Sequence, residues 1–361
     1  MPRVGLGLCR TLGTVGLAAL LTFAAAGCGD DEDDGGAAST DGGAKTAKVV
    51  VSSPADSGDV VPIGGLTRFG EEFGLAQTDA DVERFDAHAT AAQLLLSGKA
   101  DVIAGSFGAN LTLIEAGQDL KIFCPAQSST AEMIVGIGDV NSIDQLKDEN
   151  VTLAVDSPGG GADFQLNALL VVSDAGFLVA DVPSKVILED GGQRVSALQN
   201  GEAQISIVDP SELLILQEAL GEDKVNVIST LAEDVGDQVV DMTFAARPEW
   251  LEENTELAAN FCATVITAAD RLTQDFDTYQ ELANEYIEPD PDPAGLQALF
   301  DLGQQFTVWP KDPMITQEQF DANVAIAEAA GSIKKPDDLV YEDVIATDVM
   351  ERTNEILEGA Q

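Results

Sequence analysis

Histidine is almost missing from this 361-residue chain, occurring once, at His88. A lone His near a helix start reads as a structural or solvent-facing residue, so His-rich metal centres and Ser-His-Asp triads drop out together. Basic residues are scarce too: 18 Lys and Arg stand against 63 Asp and Glu, a formal net charge of −45. So acidic a chain is excluded from nucleic-acid binding, and from docking to an anionic membrane through a basic patch. Aromatics make up only 5% of the residues, which limits stacking platforms. One glycine-rich turn invites a nucleotide reading, "DSPGGGADF" from Asp156 to Phe164. It carries Asp163 where a phosphate-binding loop needs Lys, and it lacks the third glycine of a dinucleotide fingerprint near Phe164. Carboxylates are abundant throughout and no spacing singles out a catalytic pair. The sequence therefore points to no enzyme, no metal and no cofactor.

What is present at the N-terminus reads as a leader. Arg3 and Arg10 precede the apolar, small-residue run "TLGTVGLAALLTFAAAG", shorter than the ~20 residues a bilayer-spanning helix needs. Ala25, Ala26 and Gly27 directly before Cys28 suggest cleavage there. The pattern resembles a bacterial lipobox, in which the Cys becomes the lipidated first residue, with Ala25 where Leu is usual. Residues 1–27 are expected to be a lipoprotein signal peptide and 28–45 an acidic tether. The tether, "GDDEDDGGAASTDGGAK" after Cys28, has no large apolar residue to bury. Losing Arg3 and Arg10 with the leader takes the formal charge from −45 to −47. That charge is spread along the whole chain, as in salt-adapted proteins. Of the four cysteines, Cys9 leaves with the leader and Cys28 takes the lipid. Cys124 and Cys262 either pair, as an extracytoplasmic setting permits, or sit apart as small buried hydrophobes.

From Lys45 onward strands and helices alternate, which argues for α/β layers with a largely parallel sheet. "AKVVVS" (47–52), "DADVERFDA" (79–87), "DVIAG" (101–105) and "DLKIFCPAQ" (119–127) read as strands, with helices between them. "SIDQLKDENVTLAV" then restarts the cycle, followed by "SKVILED", the helix "GQRVSALQNG" and the strand "AQISIV". Residues 89–106 and 192–209 share one design: an apolar helix, a polar-glycine stop and an apolar strand. Two similarly built lobes are expected. After the strand in "QVVDMTFAA" the chain reads as helical, over 248–274, 277–286, 293–305, 316–330 and 346–358.

Three stretches carry a family resemblance: "LLLSGKADVIAGSFGANLTLIEAGQDLKIF", "SIDQLKDENVTLAVDSPGGGADFQLNALL" and "ALQNGEAQISIVDPSE". Their order and spacing, with "RPEWLEENTELAANFCATVITAADRL" after them, resemble the nitrate/sulfonate/taurine class of ABC-transporter solute-binding proteins, which includes thiamine-pyrimidine binders. The resemblance covers about residues 46–358. It implies a two-lobed periplasmic-binding-protein type II fold with hinge crossovers and a helical C-terminal region. Lobe 1 is expected over 46–138 plus 244–361 and lobe 2 over 139–243. It also implies a monomeric receptor on the extracytoplasmic face of the cell membrane, handing a small solute to an ABC permease. A sensory or adaptor lipoprotein using the same cleft is the alternative, and an enzyme of pyrimidine metabolism on this fold a more remote one. The Cys-rich motif of that enzyme group is not found in this chain.

In such sheets ligands sit beyond the carboxyl ends of the strands, where helix N-termini point. The loops at those ends supply the candidate contacts: Ser53 and Asp56; Ser106, Phe107 and Asn110; Ser128 and Ser129; Ser157, Gly160, Gly161, Ala162 and Asp163; and Asp209 before Pro210. No Lys or Arg lies in these loops; Arg68 and Arg194 come closest, on following helices. Asp56, Asp163 and Asp209 facing one cleft would oppose an anion. A neutral or cationic solute with ring nitrogens or amines is therefore expected, unless Arg68 or Arg194 turns inward as an anion partner.

Overall fold

The computed structural model describes residues 45–52, 58–85, 88–158, 160–287 and 292–360. The leader, the tether up to residue 44 with Cys28, and Ser53 and Asp56 lie outside the described residues.

Among the described residues ten strands form two five-stranded sheets. The first contains β1 (Val49–Val51), β2 (Val82–Arg84), β3 (Val102–Ser106), β4 (Lys121–Gln127) and β10 (Met242–Ala246). The second contains β5 (Met133–Ile137), β6 (Leu153–Val155), β7 (Lys185–Ile187), β8 (Ile205–Val208) and β9 (Val225–Thr230). Their orders are β2-β1-β3-β10-β4 and β7-β6-β8-β5-β9, the same arrangement twice. Central strands such as "VVV" and "ISIV" are buried along their whole length because helices cover both faces, so they read as continuous apolar runs.

Neither sheet is wholly parallel. β10 runs antiparallel to β3 and β4, and β5 runs antiparallel to β8 and β9. These are the strands by which the chain passes from one sheet to the other. Their direction follows from that passage: the crossing chain enters at the end where the parallel strands finish, so it must run back against them. The expected lobe boundary at 138/139 would leave β5 with the first sheet; its pairing puts it in the second. Gly136 is what lets β5 fit there. A Cβ at this position would collide with the carbonyl oxygen of Val140 in the turn that follows. Gly136→Ala is expected to destabilise the protein by about 2 kcal/mol, read as a lower urea midpoint with unchanged slope.

The helices, in chain order, are α1 (Gly65–Phe69), α2 (His88–Leu96), α3 (Phe107–Glu115), α4 (Gly161–Val172), α5 (Gly191–Asn200), α6 (Pro210–Leu220), α7 (Leu231–Asp234), α8 (Pro248–Glu253), α9 (Thr255–Leu272), α10 (Phe276–Tyr286), α11 (Pro293–Gln305), α12 (Gln317–Ala329), α13 (Tyr341–Val344) and α14 (Thr347–Ala360). Among the described residues no helix is long and apolar enough to cross a membrane. α9 buries Phe261, Cys262 and Val265 against the first sheet, where Phe261 meets Phe244 edge-on with ring centroids 4.9 Å apart. Cys262 is disulfide-bonded to Cys124 of β4. The C-terminal helices also join the two sheets' surroundings. Phe107 and Leu111 of α3, Phe164 and Leu169 of α4, and Phe320 and Ile326 of α12 belong to one apolar cluster. Elsewhere α11 rests on α6.

Candidate functional site

A cavity of about 560 Å³ opens between the two sheets. Its walls are the carboxyl ends of the parallel strands: Ser52 after β1, Gly105 and Ser106 of β3, Gln127 of β4, Asp156 after β6, Glu189 beyond β7 and Asp209 after β8. The two crossing segments supply Thr130, Ala131 and Glu132 before β5, and Asp241 and Met242 at the start of β10. Phe164 and Gln165 of α4, His88 of α2, Leu299 of α11 and Val308 complete the wall. The volume suits a small organic solute.

Six carboxylates line this space, Asp59, Glu132, Asp156, Glu189, Asp209 and Asp241, and among the described residues no Lys or Arg does. Several of the six have structural duties. Asp59 forms an ion pair with Arg84 at 2.8 Å, and the Arg84 guanidinium lies over the Tyr286 ring. Asp209 caps α6, accepting from the Glu212 amide at 2.7 Å, while the Glu212 carboxylate accepts from the Asp209 amide at 3.0 Å. Burial and the nearby Asp209 push Glu212 up to about 7. Burial also raises Asp209 and Asp156. Glu132 is raised well above the carboxylate range, first by burial and then by Asp241, Glu212 and Asp209. Its backbone is pinned on both sides: its amide donates to Thr130 Oγ1 and its carbonyl accepts from Leu231.

The glycine-rich loop does hold an anion, and the anion is the chain's own. The Asp156 carboxylate accepts from the amides of Ala162 at 3.0 Å and Asp163 at 2.8 Å, at the N-terminus of α4. A Cβ on Gly160 would collide with that carboxylate, so the glycine is what admits it. The Ala162 amide, a candidate ligand contact by sequence, is thereby already occupied. Asp163 is buried and lines a separate small cavity with Asn167, Val179 and Lys185.

Of the sequence candidates, Ser106, Gly160, Gly161 and Asp209 line the main cavity. The others do not. Phe107 is fully buried and packs toward Phe320. The Asn110 amide donates to Thr243 Oγ1 at 2.9 Å inside the core. Ser128 and Ser129 tie the first crossing to the 307–308 segment, through the Ser128 amide to Val308 and the Ser129 hydroxyl to Thr307. The Ser157 amide donates to Glu189 at 3.4 Å. Arg68 is exposed on α1. Arg194 is buried, donates to the carbonyls of Leu188 and Glu189, and its charge already answers Asp156, Asp209 and Glu212. Neither supplies an inward-facing cation.

His88 departs from its expected role, since it lines the cavity. Burial lowers it to about 4, so its ring is neutral at pH 7, and both ring nitrogens are buried without a hydrogen-bond partner. Gly105 makes room for it: a Cβ there would press on the imidazole. Glu132, Asp241, Glu189, Gln165 and Phe164 also line the cavity and were not among the candidates. Their shared signal is position, at a strand end, at a crossing, or one turn into a helix. Among the described residues no group of three or more His, Cys, Asp or Glu is placed to hold a metal ion.

Two sheets of identical order, joined by two crossing strands with a cavity at the crossings, make this a type II periplasmic-binding-protein fold. The nitrate-binding protein of Synechocystis PCC 6803 superposes with a TM-score of 0.62 at 14% identity, covering 87% of this chain and 89% of that one. The aliphatic sulphonate binding protein of Escherichia coli gives 0.62 at 15% identity, covering 85% and 92%. A zinc-bound ligand-binding component of an ABC-type import system from Staphylococcus aureus gives 0.64 at 11% identity, covering 85% and 98%. No family model matches the chain, and no curated protein matches it.

Proposed function

We propose that the protein is a lipid-anchored, extracytoplasmic receptor that captures a small organic solute between its lobes and delivers it to an ABC importer. The observation that carries this reading is the cavity itself, at the strand ends of two like sheets and beside the β4–β5 and β9–β10 crossings. Proteins of the same fold whose names describe binding and import components support it. The lobes are taken as the two sheets with their helices, hinged at residues 128–132 and 231–241, and Cys28 as the lipid site. The wall differs from what nitrate or a sulphonate would need: it offers carboxylates and no Lys or Arg among the described residues, so the solute is neutral or cationic. Native mass spectrometry of the purified protein tests the reading. A co-purified small molecule is expected, and adding it back to stripped protein should reduce the small-angle scattering radius as the lobes close.

Closure can be tested at the α6–α11 contact. Gly295 of α11 is packed so tightly on Ser211 of α6 that a Cβ would collide with the serine hydroxyl. Gly295→Val should wedge the helices apart, lower the melting temperature and weaken solute binding of the folded protein about tenfold. An unchanged affinity would show that this contact takes no part in closure.

A further inference from the structure

We propose that the solute is an organic cation bearing N–H donors, a protonated amine or guanidinium, and that its charged group sits on Glu132 at the floor of the cavity. This rests on the receptor reading and adds the ligand's chemistry to it. Glu132 stands on the first crossing and Asp241 on the second, so each strand that hinges the lobes presents one carboxylate to the same space. Although Glu132 is only half-buried as a residue, its Oε2 is sealed from solvent and has no hydrogen-bond partner. Gln165 Oε1 of the second lobe and both nitrogens of His88 of the first are also buried and unpartnered, and all three side chains line this one cavity. Buried polar atoms left without partners are rare in folded proteins, and four on one wall point to a ligand that completes them. Two of the four are carboxyl and amide oxygens, which call for N–H donors. Gln165 Nε2 approaches Asp241 Oδ1 at 3.5 Å, which turns its oxygen to the acceptor role.

The sign of the charge follows from the surroundings of Glu132. Asp241 faces it from the second crossing, Asp209 and Glu212 from α6, and Arg194 from α5 is the one opposing cation. Asp156, Glu189 and the neutral His88 complete the cavity's titratable groups, with Asp59 engaged by Arg84. A quaternary ammonium is the less suitable cation, because it lacks N–H groups and wants an aromatic cage. Here Phe164 is the one Phe, Tyr or Trp on the described wall. Burial, reinforced by Asp241, Glu212 and Asp209, raises the Glu132 carboxyl well above its ordinary value in the empty site, so an entering cation favours loss of its proton. Affinity should then rise about tenfold per pH unit until Glu132 ionises on its own.

The test uses the full-length protein stripped of co-purified solute, with thermal melts and calorimetry in agmatine, putrescine, methylguanidine, choline and ethanesulfonate. At least one of the three N–H cations should raise the melting temperature and bind tighter at pH 8 than at pH 6. About one proton should be released per ligand, as read in buffers of different ionisation enthalpy. Glu132→Gln should weaken that binding about 100-fold and abolish the proton release. It keeps the side-chain shape, so its own melting temperature at pH 7.5 should match or exceed wild type. If it fails to fold, Asp241→Asn removes charge from the other crossing and should weaken the same cation. The proposal is overturned if ethanesulfonate binds, if choline binds as well as agmatine, if no N–H cation binds, or if Glu132→Gln binds the cation as wild type does. Each of those outcomes leaves the receptor reading intact. That reading fails separately if native mass spectrometry finds no small molecule on the unstripped protein.

Discussion

Replacing both bridged cysteines, Cys124→Ala with Cys262→Ala, is expected to lower stability by about 5 kcal/mol and the melting temperature by roughly 10 °C. The bond joins residues 138 apart, and most of its contribution comes from closing so long a loop in the unfolded chain. The loop matters because the first sheet is built from two distant stretches of chain. β1 to β4 come before the entire second sheet and β10 comes after it, with α9 packed behind β4. The disulfide ties β4 to α9 across that insertion. Both cysteines are completely buried, so dithiothreitol alone should leave the native protein intact and act only once urea has opened it. Free-thiol labelling, with and without urea, reads this directly. A double-alanine variant that melts with wild type would mean that the denatured chain keeps the two segments together without the bond.

The second large effect is one of pH. Glu212 is raised from 4.5 to about 7 by burial beside Asp209. A raised acid binds its proton more tightly in the folded state, so its contribution is fully present below pH 4.5 and is lost as pH rises through 7. A shift of this size corresponds to about 3 kcal/mol. Glu132, Asp209 and Asp156 are raised in the same direction and lose stability in the same sense. His88 works the other way. Lowered from 6.5 to about 4, it contributes fully above pH 6.5 and loses that contribution as pH falls toward 4. The two trends together place the stability maximum of the empty protein on the mildly acidic side. Glu212→Gln isolates the first trend, since Gln can still accept from the Asp209 amide. Unfolding free energies from urea melts at pH 5.0 and 7.5 should differ by about 2 kcal/mol more in wild type than in the variant. Equal differences would show that Glu212 ionises as freely in the folded chain as in the unfolded one.

The strand–helix alternation was legible because buried central strands and amphipathic helices leave strong local patterns, as in "DVIAG" before β3's end and "ISIV" in β8. β5 and β9 were not legible. "MIVGI" is interrupted by Gly136, and "VNVIST" at the sheet edge mixes polar with apolar residues, so neither reads as a continuous core strand. Site residues divided similarly. Ser106 and Asp209 are each the residue where a strand gives way to a helix, and local sequence marks such positions. Glu132 and Asp241 lie more than 100 residues apart on crossings whose partners local sequence does not reveal.

Composition and local pattern alone determined the α/β layering, the acidic character and the lack of basic loops that would hold an anion, because each is a property of residues close in the chain. Only the tertiary structure decided that the glycine-rich turn closes on Asp156, that Cys124 reaches Cys262, and that one carboxylate from each crossing meets at the cavity floor. Those outcomes depend on long-range pairing, in which the same short motif can face a solute or its own chain according to what is packed behind it.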